Sequence, residues 1–595
     1  MNSKVKSFYF EKKEQFASSL KSVSSFLKRM IWYRLLVFIS IFVPVFIFGF
    51  QNRLALVFTV FLIVVFFLLV KKNISLEKEK RKLIVLKKLA DDELLALEHE
   101  FSHFENGKEF LDTDHFFSYD LDLFGEGSLF QFVNRTSTHG GRKCLADWFI
   151  KPEFSKMEIE AKQQAIKELA KKHEWRLQFL ASGLLFKETE KMAIEIKNWS
   201  EMELGLLKSN LIKWLIKFVP VLTFLALISY VTGFTGVLIS IMVLIQWGLM
   251  FLYWKKINWY FNFFCRKSEL LEKYMQLLQL IEEGEFKSEY LLSMQKKVQQ
   301  PVSASKIFRE LKSLVKNFEY RGNIIVGFFL NSMLLWDISC VYKLWNWHRE
   351  NHKKLVSWIE VISQMDALIS LANFANNHQG YVFPTAYEGD FIFNSKQLGH
   401  PLLNPIKRVN NDMEISGWPK VMIITGANMA GKSTFLRTVG VNLVLARIGA
   451  PVCAKEMVFT PVKIYTNMRT TDSLLKDESY FFAELKRIKG VLDQLQNGEQ
   501  FFVILDEMLK GTNSVDKLHG SRELIRKLLK SYSVSLIATH DLKLSEMEYE
   551  FPDYVFNKCF EIRIENDELA FDYKLYDGVT QTMNATFLMK KMGII

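Results

Sequence analysis

Val421-Met-Ile-Ile-Thr-Gly-Ala-Asn-Met-Ala-Gly-Lys-Ser-Thr434 is the stretch whose reading decides the fold. Val421 to Ile424 form a short apolar run of the kind that makes a buried strand. Gly426, Ala427, Asn428, Met429, Ala430, Gly431, Lys432 and Ser433 follow as a GxxxxGK[ST] loop, and a helical pattern opens at Thr434. In that strand–loop–helix context, backbone N–H groups of the loop and of the helix N-terminus can cradle phosphate oxygens. Lys432 would reach the β- and γ-phosphates of ATP, and the Ser433 hydroxyl would hold Mg2+. So short a pattern also arises by chance, so the downstream sequence has to decide.

Working outward, Phe501 to Leu505 is a second buried-strand run, and it ends in Asp506-Glu507. An acidic pair at such a strand end suits phosphoryl transfer. Asp506 would support Mg2+ directly or through water, and Glu507 would polarise the attacking water. Two acids that merely end a strand are the bland alternative, which this spacing from a phosphate loop disfavours. Ser535 to Thr539 reads as a further strand ending at His540. A lone histidine is usually structural; at this strand tip it reads as a γ-phosphate sensor.

The 595 residues allow three or four domains. With 77 Lys and Arg against 65 Asp and Glu, the formal charge of +12 points to phosphate-bearing partners, either anionic lipid or nucleic acid. Five widely spaced cysteines, without CxxC or metal-ligand spacing, read as reduced thiols in a cytosolic setting.

Upstream lie two apolar blocks. Leu35–Phe50 and Leu54–Val70 are broken by Gly49-Phe-Gln-Asn-Arg53, and each is close to the roughly 17-residue minimum for a spanning helix. Phe218–Trp254 carries no charged residue, with Gly233 and Gly236 offering a turn at its middle. Lys28, Arg29 and Arg34 precede the first block and Lys71 and Lys72 follow it; Lys213 and Lys217 precede the second, and Lys255 and Lys256 follow it. Basic flanks place all these ends in the cytoplasm and make two membrane hairpins. The third apolar run, Ile324 to Trp336, is shorter and meets Asp337, so it reads as a core helix.

The expected organisation is a basic cytoplasmic segment (1–30), transmembrane hairpin 1 (31–72) and a charged helical linker (73–110). A helical core or lever region (111–398) follows, interrupted by transmembrane hairpin 2 (214–254), and then an α/β nucleotide-binding domain (399–595). The fold class is thus α plus α/β with membrane hairpins.

GANMAGKST, ESYFFAELKRI (Glu478 to Ile488), ILDEMLKGTNSVD (Ile504 to Asp516) and ATHD together resemble the ATPase domain of the MutS family. That family is best known for DNA mismatch repair, and its ATPases are of the ABC class. The resemblance implies a dimer joined through the ATPase domains, with ATP and Mg2+ as ligands and DNA as a partner. It puts Ser479 where the family's signature serine reaches the partner's γ-phosphate, and Gly511 to Ser514 on a loop at the dimer interface. It also puts Arg408 where an aromatic residue often stacks on adenine. Thr136 to Trp148, with Pro152, resembles the start of the family's helical core, and Met365 to Ala372, with Gly380-Tyr-Val382, its end. Phe571 to Ile594 resembles the final strand and helix.

There are departures from the family pattern. Membrane spans stand in the place of a mismatch-reading domain, and Tyr9-Phe10-Glu11 is read as a chance match in a basic tail. Hairpin 2 sits about where soluble members insert a DNA-gripping clamp. Three functions are weighed. The first is a multi-pass inner-membrane MutS-like ATPase facing the cytoplasm and binding DNA. The second is an ABC-type transport or mechanical ATPase without DNA, against which stand the missing LSGGQ sequence and the uncharged spans. The third is a scaffold that binds ATP without turnover, against which stands the intact set of Lys432, Ser433, Asp506, Glu507 and His540.

Overall fold

The computed structural model describes residues 3–49, 51–186, 188–202, 210–264, 267–427, 429–469, 480–509, 511–565 and 568–581. The chain opens with two very long helices, α1 (Ser3–Phe48, 46 residues) and α2 (Arg53–Leu97, 45 residues). Gly49 turns the chain at φ 75°, and Asn52 caps α2, its Oδ1 accepting the N–H of Leu54 at 3.0 Å. At 1.5 Å per residue each helix is about 70 Å long, over twice the roughly 30 Å of a bilayer core.

The basic N-terminal segment is therefore no loose tail. It is the polar half of α1, and α2 runs without a break from the apolar block to Leu97. These polar halves pair with each other and with the body, Lys13 with Asp91 at 2.7 Å and Lys12 with Glu174 at 2.6 Å. Tyr9, read as part of a basic tail, is buried, its hydroxyl 3.4 Å from Asn377 Oδ1. The apolar halves have no such cover: Phe46 is 92% and Leu54 81% exposed.

The helical body begins with α3 (His139–Ile150). It is interrupted by a second antiparallel pair, α4 (Asn210–Val231) and α5 (Val237–Phe264), joined through Gly233 at φ 98°. α6 (Ala304–Glu319), α7 (Ile324–Leu334) and α8 (Trp336–Asn377, 42 residues) follow. α8 is the spine. Its Asp366 carboxylate accepts the N–H groups of Ser137 and Thr138, at 3.0 and 2.8 Å, and the Thr138 hydroxyl at 2.7 Å. The two stretches that resemble the start and end of the family's core thus meet at one buried carboxylate.

α7 departs from the core-helix expectation. Ile324 is 87% and Phe329 68% exposed, whereas Asn331 and Ser332 are buried. The reason is its packing partner: α7 turns its polar side to Gln246 and Trp247 of α5. Among the described residues, α1, α2, α4, α5 and α8 are long and apolar enough to cross a membrane, but the apolar window of α8 is 67% buried within the body.

The C-terminal α/β unit holds two sheets. β1 (Thr385–Ala386), β2 (Ile392–Leu398), β3 (Asn411–Ser416) and β5 (Glu456–Phe459) form the smaller, in the order β1-β5-β2-β3. The larger is built from β4 (Lys420–Gly426), β6 (Lys463–Asn467), β7 (Phe501–Asp506), β8 (Ser533–Thr539), β9 (Val555–Glu565) and β10 (Glu568–Asp577). Its order is β10-β9-β4-β8-β7-β6, parallel except for the β9–β10 pair. α9 (Lys432–Arg447), α10 (Tyr480–Gln496) and α11 (Ser514–Leu529) pack against it. β4, β7 and β8 are buried on both faces, which explains their unbroken apolar runs.

Polar clasps join body and α/β unit. Buried Asp120 accepts the Thr466 hydroxyl at 2.8 Å, the Arg469 N–H at 2.9 Å and Arg487 Nη2 at 3.2 Å. Arg437 of α9 donates to the Asp120 carbonyl at 3.1 Å. At the far end of α9, buried Arg447 donates to the carbonyl of Pro152 at 3.0 Å. The Asp120 loop therefore touches both α9 and α10.

Candidate nucleotide site

β4 is central in a parallel sheet, so the loop after it emerges at the carboxyl edge, where open α/β sheets bind ligands. Gly426 has φ 150°, and a Cβ there would stand 2.9 Å from the Phe560 carbonyl oxygen. Gly431, at φ 113°, begins α9 with its added Cβ 3.2 Å from the Tyr573 ring. Both positions need glycine, for backbone conformation and for space. Met429 between them takes φ 67° and is exposed.

Lys432 is buried and folded back, its Nζ donating to the carbonyls of Gly426 at 2.6 Å and Ala427 at 2.9 Å. Burial, opposed by the charges of Asp506 and Glu507, pushes its ammonium down to about 8. The His540 ring lies 3.4 Å from Lys432 Nζ, and its Nε2 is 3.2 Å from Glu507 Oε1. Burial first, and then the Lys432 charge, hold His540 below its ordinary value, which favours its neutral form. Glu507 itself sits at φ 56°, with its N–H given to the Ala538 carbonyl at 3.0 Å. That left-handed bend turns the carboxylate off the end of β7 towards His540.

A cavity of about 570 Å3 is lined by Ala427, Met429, Gly431, Lys432, Ser433, Thr434, Asp506, Glu507 and His540. Gly426 and Ala430 are not among the lining residues: the Gly426 carbonyl accepts from Lys432, and Ala430 is buried. Asn428 and Ser479 lie outside the described residues. The hydroxyl of Ser433 and the carboxylate of Asp506 are hard oxygen donors on one cavity, which suits Mg2+, an ion that keeps waters and phosphate oxygens in its shell.

The sequence reading missed other residues that line the cavity: His400, Lys407, Val409, Asn411, Phe560 and Tyr573. Asn411 on β3 holds Tyr573 in place. Its Nδ2 donates to the Tyr573 carbonyl at 3.0 Å, and its Oδ1 accepts the Leu575 N–H at 2.9 Å, across the bulge in β10. No periodicity signals that bulge. Arg408, expected at the adenine position, turns away. It donates to Asn410 Oδ1 at 3.1 Å and to the Tyr381 hydroxyl at 3.2 Å. The aromatic rings that line the cavity are Phe435, Phe560 and Tyr573 instead.

On the loop after β7, Asn513 caps α11 by accepting the Asp516 N–H at 2.9 Å. Buried Glu484 of α10 accepts the Leu509 N–H at 2.7 Å, fastening that loop to the helix that follows the signature segment.

Residues 113–372 match MutS domain III, and residues 422–590 match MutS domain V. The chain belongs to the MutS family. The DNA mismatch repair protein MutS of Thermotoga petrophila is 32% identical over 250 residues, 41% of this chain and 31% of that protein. MutS protein homolog 4 of Homo sapiens is 30% identical over 257 residues, 42% of this chain and 25% of that protein. The matched stretch therefore spans about a third or less of these relatives' length. The domain III match runs across α4 and α5, so this MutS-family body carries the second apolar pair inside it.

Proposed function

We propose that this protein is a membrane-anchored MutS-family ATPase, a homodimer through its α/β units, with its nucleotide site in the cytoplasm and DNA as its partner. The observation that carries the ATPase reading is the convergence of Lys432, Ser433, Asp506, Glu507 and His540 on one cavity. ATP would lay its phosphates over the loop and the N-terminus of α9, and Lys432 would exchange the loop carbonyls for phosphate oxygens. Mg2+, held by Ser433 and Asp506, would neutralise phosphate charge when bound. Glu507 would orient the attacking water, and His540 would donate an N–H to the γ-phosphate. Ser479 would complete the site from the partner.

DNA comes into the proposal from the relatives' names and from the +12 charge, which favours phosphate contacts that weaken as salt rises. The membrane comes from the exposed apolar lengths of α1, α2, α4 and α5 and their basic flanks.

Full-length protein in neutral-lipid nanodiscs tests the ATPase and DNA readings. Glu507→Gln should keep ATP binding and lose turnover by orders of magnitude; near-normal hydrolysis would remove Glu507 from its role. ATPase rate and binding with homoduplex, mismatched and branched DNA test the partner. Absence of binding at low salt, with and without ATP, would end the DNA reading.

A further inference from the structure

α7 is built inside out. An amphipathic helix in water buries its apolar side; α7 buries Asn331 and Ser332 and exposes Ile324, Ile325, Phe328 and Phe329. Its partners follow the same inversion. Thr223 of α4 and Gln246 of α5 are buried, while Val221, Phe224, Phe251 and Leu252 are exposed on the same helices. The exposed face of α7 thus continues the exposed apolar face of the α4–α5 pair.

The polar groups of Gln246, Thr223 and Ser332 at the centre are paired, while the Asp337 carboxylate has an ion pair but, among the described residues, no hydrogen-bond partner. Gln246 Nε2 donates to the Thr223 hydroxyl and to the Ser332 carbonyl, both at 2.8 Å. Its Oε1 accepts the N–H of Leu335 at 3.1 Å. Leu335 is the reversal point, at φ 48°, and the N–H of Asp337 goes to Asn331 Oδ1 at 2.9 Å. Trp247 Nε1 donates to the Ser332 hydroxyl at 3.0 Å. A backbone reversal at membrane depth is tolerated only where protein groups satisfy it in this way.

The two ends of α7 have different settings. Gln246 lies mid-way along the apolar part of α5. Arg321, just before α7, stacks 5.0 Å over Trp254 and donates to Asn258 Oδ1 at 2.7 Å, beside Lys255 and Lys256. Aromatic and basic residues of this kind mark a membrane–water interface. The 11 residues of α7 rise about 16 Å, half a bilayer core. Asp337, fully buried, is neutralised by Arg321 Nε at 3.1 Å.

We infer that α7 and the turn at Leu335 form a re-entrant element that enters the cytoplasmic leaflet and leaves by the same side, with lipid acyl chains against Ile324, Ile325, Phe328 and Phe329. This rests on the proposal that the α4–α5 pair spans the membrane. It gives the body a second kind of membrane contact, seated at one end of the spine helix α8.

The test is photo-crosslinking of the full-length protein in phosphatidylcholine nanodiscs, with p-benzoylphenylalanine replacing Phe329, Leu225 of α4 or Tyr549 of the α/β unit in turn. All three side chains are exposed. Phospholipid adducts should form at Phe329 as readily as at Leu225, and not at Tyr549. Adducts at Leu225 with none at Phe329, or with a protein–protein adduct at Phe329, would overturn the re-entrant element and leave the hairpin standing. Absence of lipid adducts at both positions would overturn the hairpin itself, and α7's lipid contact with it.

Discussion

α6 and α7 are separated only by Tyr320 to Asn323, and they bury opposite kinds of side chain. α6 turns Phe308, Leu311 and Val315 inward and Arg309, Glu310 and Lys316 outward. α7 turns Asn331 and Ser332 inward and its large apolar residues outward. Backbone geometry is the same in both; what differs is the medium each outer face would meet. Water rewards burial of Leu311, because it removes apolar surface from a solvent that excludes it. Hydrocarbon gives no such reward for Phe329, and there the polar groups are what must be hidden and paired. On the membrane reading, the boundary between the two media passes at Arg321.

Substitutions of like chemistry should break this comparison if it is wrong. The largest effect is expected for Leu311→Asp, which buries an unpaired carboxylate in the body and should cost about 4 kcal/mol or more. It would be read as a collapse of the denaturation midpoint in nanodiscs. Phe329→Asp should cost about 3 kcal/mol, read as loss of stable membrane incorporation, because it puts a charge where lipid is expected. A neutral or stabilising Phe329→Asp would mean that α7 faces water, and the contrast with α6 would vanish.

Smaller effects sharpen the contrast at the polar groups each region does bury. Gln246→Leu is an apolar substitution at a buried position, harmless in most cores. In the α4–α5–α7 cluster it strips a partner from the Ser332 carbonyl and the Leu335 N–H, and should cost about 1–2 kcal/mol. Lys432 is the counterpart in the α/β unit, buried against loop carbonyls it can release. With its ammonium titrating at about 8 in the free protein, a bound polyphosphate should raise that value. Nucleotide affinity should then be flat below about pH 7.5 and fall as pH rises, by about tenfold between pH 7 and 9. Equilibrium binding of a non-hydrolysable analogue across that range checks it. An affinity unchanged across that range would leave Lys432 a structural lysine.

Much of the candidate site is legible in the chain because its parts lie at strand ends. Gly426 to Thr434, Asp506-Glu507 and His540 each follow an apolar run, and a parallel sheet brings the carboxyl ends of β4, β7 and β8 to one edge. Tyr573 and Asn411 were not legible, since a bulge in β10 and a hydrogen bond from a different sheet put them there. Tyr9 was unreadable for a similar reason: its partner Asn377 is distant in sequence, so a basic stretch looks solvated until the body packs on it.

By itself the sequence determined the family, the strand–loop–helix order around Lys432 and the positions of the long apolar runs, because these are local patterns of residue type. Only the tertiary structure decided how far α1 and α2 extend, which further residues line the cavity, and that α7 hides its polar side. Periodicity reports which residues share a face; what that face meets depends on the elements folded against it.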